Sequence, residues 1–285
     1  MHFPLPHVVA DALHADYQRF WSSFEGSDRA VVARLEALRA TYKSVMTYGG
    51  APFVEPEDRF VYCYQYVLSH AVWVFAALHQ SGAAQSIFEK PRVRVTALGG
   101  GPGSDLLGVL QYRHVTGSRA RLACEVVDRC DAWARNWRSF ERSVIAQGGV
   151  SREALRVDYV RQDLGSPADW DDFERFAASD VVTVSFLVSE LMHQGPGPSE
   201  YLRRAFGKTR PGTLVVVNDA NHPVYREAVS RAAAAAGLER AWSKEGRTSA
   251  LDPKEAHDAL WRYNERWGTM PKLTGKNFSH VYIKA

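Results

Sequence analysis

The chain has 285 residues, 35 Lys and Arg against 32 Asp and Glu, a net charge of +3 and 46 % hydrophobic residues. That balance excludes a disordered chain or a dedicated polycation, and no dense Lys/Arg run marks a nucleic-acid arm. Cys63, Cys124 and Cys130 are odd in number and lack metal-ligand spacing, which predicts reduced thiols in a cytoplasmic protein and no metal site.

The first six residues lack a basic region followed by an apolar core, so no signal peptide is expected. Residues 7–25 place Val9, Leu13, Tyr17, Phe20, Trp21 and Phe24 at helical spacing, and Gly26-Ser27-Asp28 breaks the pattern. A second helix, with Val31, Leu35, Leu38, Tyr42 and Val45 on one stripe, runs to about residue 48 and stops at Gly49-Gly50-Ala51-Pro52. The third, about residues 59–80, is apolar nearly all round. Gln65, Ser69, His70 and its many aromatics mark residues 60–78 as a buried helix, with no membrane partner. Three helices before any strand predict a helical cap over residues 1–90 and a sheet domain over 91–285.

Val93, Val95, Ala97 and Leu98 read as a buried strand. Gly99, Gly101 and Gly103 follow, and Ser104-Asp105 opens a helical pattern with Ser104 as its expected N-cap. Such a turn lets backbone amides approach a carboxylate or phosphate. The spacing is G-x-G-x-G. In the dinucleotide fingerprint G-x-G-x-x-G the third glycine would fall on Ser104 or Leu106, a poor fit. Strands at about 122–127, 157–160, 181–186 and 214–217 then alternate with helices at about 133–146, 199–207 and 220–237. Two weaker strands, 239–243 and 279–283, close the chain. The alternation predicts an α/β fold: a doubly wound, mostly parallel seven-stranded sheet.

Gly99, Gly101 and Gly103 resemble the first motif of class I S-adenosylmethionine-dependent methyltransferases, (D/E)-x-G-x-G-x-G, with Ala97 at the acidic position. The resemblance implies a Rossmann-like transferase that uses S-adenosyl-L-methionine, its sheet closed by an antiparallel hairpin. It also implies a cofactor site of Gly99, Gly100, Gly101, Gly103 and Asp105 at the turn. Asp128 would accept the ribose hydroxyls, with Asp131 as its substitute. Asp163 would receive the adenine amino group while the backbone of Leu164 reads the ring. Trp133 packs against adenine or seals a helix to the sheet. Residues 99–105 with 186–191 are also similar to ribosomal-RNA uridine methyltransferases, which keeps RNA beside a small molecule as acceptor.

The Asn/Asp-Pro-Pro-Tyr signature of amino-methylating members is absent after the fourth strand. Glu190 and His193 stand there three apart, on one face of a helix. Histidine is the side chain whose unperturbed pKa lies near neutrality, which makes His193 the candidate general base. Asn218, Asp219, Asn221 and His222 crowd the end of the fifth strand as the leading substrate-facing cluster. Tyr62, Tyr66 and His70, at i, i+4 and i+8, are expected to line a pocket with them and the glycine turn, as are Tyr42 and Tyr48. Trp261, Tyr263 and Trp267 read as core or ligand-facing. The expected function is methyl transfer to a nucleophilic N or O atom (C or S also fit) of a small molecule under the cap. Its rivals are an RNA-base methyltransferase, an NAD(P)-dependent oxidoreductase and a non-catalytic cofactor-binding partner subunit.

Overall fold

Apolar residues recur at helical spacing through the first eighty positions, and β-branched runs dominate from residue 93 onward. The computed structural model follows that division and describes residues 4–20, 27–48, 53–171, 173–192, 197–249 and 253–285. Trp21, Phe24, the break at Gly26 and the stop at 49–52 lie outside the described residues.

Helices α1 (Leu5–Phe20) and α2 (Ser27–Tyr48) bury Val9, Leu13 and Tyr17 and Val31, Leu35 and Leu38 of the predicted stripes, with Leu13 and Leu35 each 1 % exposed. The third rod is compound: α3 (Pro56–Tyr62), a π-helical turn (Cys63–Val67) and α4 (Leu68–Ser81). Pro56 starts it, where a missing N–H costs nothing, and left-handed Gly82 stops it. Among the described residues this rod is long and apolar enough to cross a membrane, but 83 % of its apolar window is buried inside the protein.

The chain continues through α5 (Gln85–Phe88), β1 (Arg92–Leu98), α6 (Ser104–Val115), β2 (Arg121–Asp128), α7 (Trp133–Ala146) and β3 (Leu155–Arg161). Then come α8 (Glu174–Ala178), β4 (Val181–Ser185), α9 (Val188–Leu191), α10 (Gly197–Gly207), β5 (Leu214–Ala220) and α11 (Pro223–Ala235). β6 (Leu238–Ser249), α12 (Pro253–Trp267) and β7 (Thr274–Lys284) complete it.

The seven strands are ordered β3-β2-β1-β4-β5-β7-β6. β1 to β5 pair in parallel, whereas β7 runs antiparallel to both β5 and β6. The sheet is therefore mixed, and the expectation of a mostly parallel sheet fails along that edge. β6 and β7, at 12 and 11 residues, are also the longest strands rather than the weakest. A bulge at Arg240/Trp242 breaks the alternation of β6, and exposed Lys244, Glu245 and Arg247 on this edge strand dilute its apolar signal.

One face of the sheet, with Val93, Val95 and Ala97, packs under α4, α6 and α7; the other, with Val182 and Val184, packs under α8, α10 and α11. α4 lies so close to α6 that a Cβ on Gly108 would stand 2.3 Å from the Ala71 carbonyl oxygen. α12 returns to the helical layer: Trp267 Nε1 donates to Asp28 at 2.9 Å and its ring lies 6.0 Å from Tyr17. Tyr263 and Trp267 are thereby core, while Trp261 is exposed.

Candidate active site

Leaving β1, the backbone turns through Gly99, Gly100, Gly101, Pro102 and Gly103. The Gly103 amide donates to the Gly100 carbonyl at 2.8 Å, closing the turn. Gly103 has φ 85, and a Cβ there would meet the Trp137 ring at 2.5 Å, so only glycine satisfies both conformation and space. The residue preceding α6 is Gly103 and not the predicted Ser104, which already belongs to the helix; no side chain caps this end. Gly100 is pressed against Ala97, where a Cβ would stand at 2.9 Å. Gly99 and Gly101 border the cleft above the turn, whereas Gly100 and Gly103 serve packing.

Asp128 ends β2 and ties this turn down. One carboxylate oxygen accepts the Gly101 amide at 3.0 Å and the other the Cys130 amide at 2.9 Å. Burial raises its pKa while the two amides pull it back. Asp163 borders the same cleft and accepts the Gly165 amide at 2.9 Å, folding its own turn. Leu164 lines the cleft beside it, and its carbonyl takes Trp170 Nε1 at 3.1 Å. Trp133 forms a wall, its ring 5.0 Å from Phe53 and 5.3 Å from Tyr62. Asp131 is exposed and off the lining. Asp105 also departs from expectation. It is 1 % exposed beneath the turn and off the cleft lining, facing the hydroxyls of Thr183 and Ser185. Burial outweighs those hydroxyls and lifts its pKa to about 6.

A second cavity adjoins this cleft, and Tyr62, Phe186 and Glu190 line both. Tyr66 and His70 line the second alone, Tyr66 lying 5.2 Å from Tyr62 and 5.6 Å from His70 by ring centroid. The predicted stripe is therefore brought together despite the π-helical turn within it. Tyr42 joins these rings; the side chain of Tyr48 lies outside the described residues. Phe186 has φ 54, a conformation that costs a bulky residue about 1–2 kcal/mol. Its ring stacks on His70 at 4.2 Å and 10°, and its amide donates to the Asn218 carbonyl at 2.7 Å, contacts that offset the strain. Burial, helped by nearby Lys272, lowers the His70 pKa to about 3, which keeps the ring neutral.

Glu190 sits on α9 where the two spaces meet. Tyr42 Oη donates to its carboxylate at 3.0 Å. Burial pushes its pKa up to about 7 against the pull of that bond. Asp219 supports α9 from below by accepting the Ser189 amide at 3.1 Å. This corrects the expected polar cluster: Asn218 and Asp219 are strand residues, both 0 % exposed, because β5 runs three residues beyond its apolar pattern. Asn221 accepts from Arg226, and His222 Nδ1 accepts the Val224 amide at 3.4 Å, capping α11. None of the four lines the cavity. Ala220 and Tyr225 do so nearby, and Gly275, Lys276 and Asn277 come from β7. No local motif marks those positions, since antiparallel pairing brings β7 to β5. His193 lies outside the described residues, so the Glu190–His193 pair has no geometry here.

No protein-family model and no curated protein matches the chain. Among solved structures, it is similar to an O-methyltransferase family protein from Burkholderia thailandensis at 13 % identity and TM-score 0.48, over 94 % of this chain and 76 % of that one. A precorrin-6y C5,15-methyltransferase from Geobacter metallireducens GS-15 is similar at 10 % identity and TM-score 0.40, over 84 % and 94 %. The cyclase SpnF is similar at 15 % identity and TM-score 0.43, over 73 % and 81 %. All three likenesses have TM-scores below 0.5.

Proposed function

We propose that this chain moves a methyl group from S-adenosyl-L-methionine, held in the glycine-turn cleft, to a nucleophilic N or O atom of a small molecule in the adjoining cavity. The observation that carries the reading is the meeting of the two spaces at Glu190, a half-buried carboxylate whose pKa is pushed up to about 7. The bound cofactor supplies an electrophilic methyl group on a sulfonium. The residues fit such a group: left-handed Gly99 and Gly101 leave the turn open, and each Asp128 oxygen keeps a lone pair beyond its amide bond for a ribose hydroxyl. Asp163 and Leu164 stand at the far side of the cleft for the adenine edge.

Glu190 takes the acceptor's proton as its nucleophile becomes methylated, and Tyr42 holds the carboxylate in place. Tyr62 and Phe186 wall the junction, fixing the approach and excluding water. The test is Glu190→Gln, assayed by S-adenosylhomocysteine release on an acceptor found by screening hydroxy- and amino-aromatic compounds. The expected result is a kcat at least 100-fold lower with little change in cofactor affinity, against a wild-type kcat that rises with pH to a plateau above about 7. A fully active variant, or a flat wild-type profile, contradicts this role.

A further inference from the structure

The charge pattern of the acceptor cavity narrows what it holds. Seven of its lining residues are rings, and six of them, Tyr42, Tyr62, Tyr66, His70, Trp73 and Phe186, form one connected group. Their packing is edge-on and stacked, with centroids 4.2–6.4 Å apart where they touch. Such walls accept a flat ring in offset or edge contact. The ionisable acid and base side chains of the lining, besides the tyrosines and His70, are Glu190, Lys272 and Lys276. Glu190 lies at the junction with the cofactor cleft, and the two lysines come from the segment that opens to solvent.

The lysines are not part of any ion pair among the described residues. Lys272 is fixed in place by its own amide, which donates to the Gln65 carbonyl at 2.9 Å. Its ammonium stands 5.7 Å from the centre of the Tyr66 ring. The ring face that would receive a cationic ligand is thus already occupied by a cation of the protein. Burial lowers the pKa of Lys272, and neither lysine borders the cleft at the glycine turn, whereas Glu190 does.

We infer that the acceptor is a planar aromatic molecule with its nucleophilic atom at one end, against Glu190, and an anionic carboxylate or phosphate at the other, against Lys272 and Lys276. This rests on the methyl-transfer reading of the same site. The aromatic walls hold the ring, the lysines set its direction, and the nucleophile is thereby presented to the cofactor cleft. A neutral phenol would enter in either sense, and a cationic amine would meet Lys272 head-on.

Calorimetry on the full chain saturated with S-adenosylhomocysteine tests this with four probes: 4-hydroxybenzoate, phenyl phosphate, phenol and tyramine. At least one anionic probe is expected to bind tenfold or more tightly than phenol, and tyramine more weakly than phenol; whichever anion leads identifies the group. Lys272→Met should bring the anions within about threefold of phenol while leaving phenol and S-adenosylhomocysteine affinities unchanged. Lys276→Met should act in the same direction. Phenol or tyramine binding as tightly as both anions overturns the inference. So does undiminished preference in both lysine variants, or a short oligoribonucleotide binding more tightly than either anion. Failure of wild type to bind S-adenosylhomocysteine would instead overturn the methyl-transfer reading itself.

Discussion

The two halves of the site are built differently. The donor cleft takes the glycine turn, Asp128, Trp133 and Asp163 from residues 99–164, beside three neighbouring parallel strands, and shares Tyr62, Phe186 and Glu190 with the acceptor cavity. The acceptor cavity draws on residues from Tyr42 to Asn277, on α2, the α3–α4 rod, the turn after β4, α9, β5, α11 and β7. The first is held by backbone amides on a buried carboxylate, the second by ring packing. A cofactor common to many reactions suits the rigid, amide-bonded half, and an acceptor selected by shape suits the half made of side chains.

The sharpest way to break this contrast is Gly101→Val. A Cβ there has ordinary room, 3.8 Å from Trp133, but φ 48 is out of reach for a β-branched residue, and the amide held by Asp128 would move. S-adenosylhomocysteine binding should be lost while the far-ultraviolet circular dichroism stays native; normal binding would remove the turn from the donor site.

Asp105→Asn probes the support beneath the turn. Asp105 keeps its proton to about pH 6 in the fold but releases it near pH 3.8 when unfolded, so folding is favoured less as pH rises between these values. Above pH 6 the penalty reaches roughly 3 kcal/mol at 1.36 kcal/mol per unit. The asparagine variant should therefore gain stability relative to wild type between pH 4 and pH 8 in thermal melts. A difference that stays constant with pH would mean Asp105 titrates normally.

The smallest effect is expected from Tyr66→Ala, which touches only the acceptor half. It removes ring contacts with Tyr42, Tyr62 and His70 and should raise the acceptor KM by about tenfold, with S-adenosylhomocysteine affinity within twofold. Equal losses in both would mean that the halves are one packed unit.

The same contrast governs what could be read before the structure. Gly99, Asp128 and Asp163 were readable because strand ends and turns are local patterns, and the Tyr62, Tyr66 and His70 stripe because helices repeat. Asn218 and Asp219 were misplaced because polar residues at a strand's end look like a turn, yet β5 keeps its pairing with β7 through both. Asp105 was placed at the donor site by the resemblance alone, whereas the fold sets it beneath the turn, 1 % exposed and off the cleft lining. Asn277 carried no signal because its place depends on the long-range pairing of β7 with β5, and neither did Lys272, whose amide bonds the distant Gln65 carbonyl.

The central claim is that the methyl donor sits between the glycine turn and Asp128, and calorimetric titration tests it most directly. S-adenosylhomocysteine should bind wild type, NAD(P) should not, and Asp128→Ala should weaken binding by roughly 1.5–3 kcal/mol, about 10- to 150-fold, as its charged hydrogen bonds are lost. Absence of S-adenosylhomocysteine binding to wild type, or an Asp128→Ala protein that is folded and binds within twofold of it, would contradict the account.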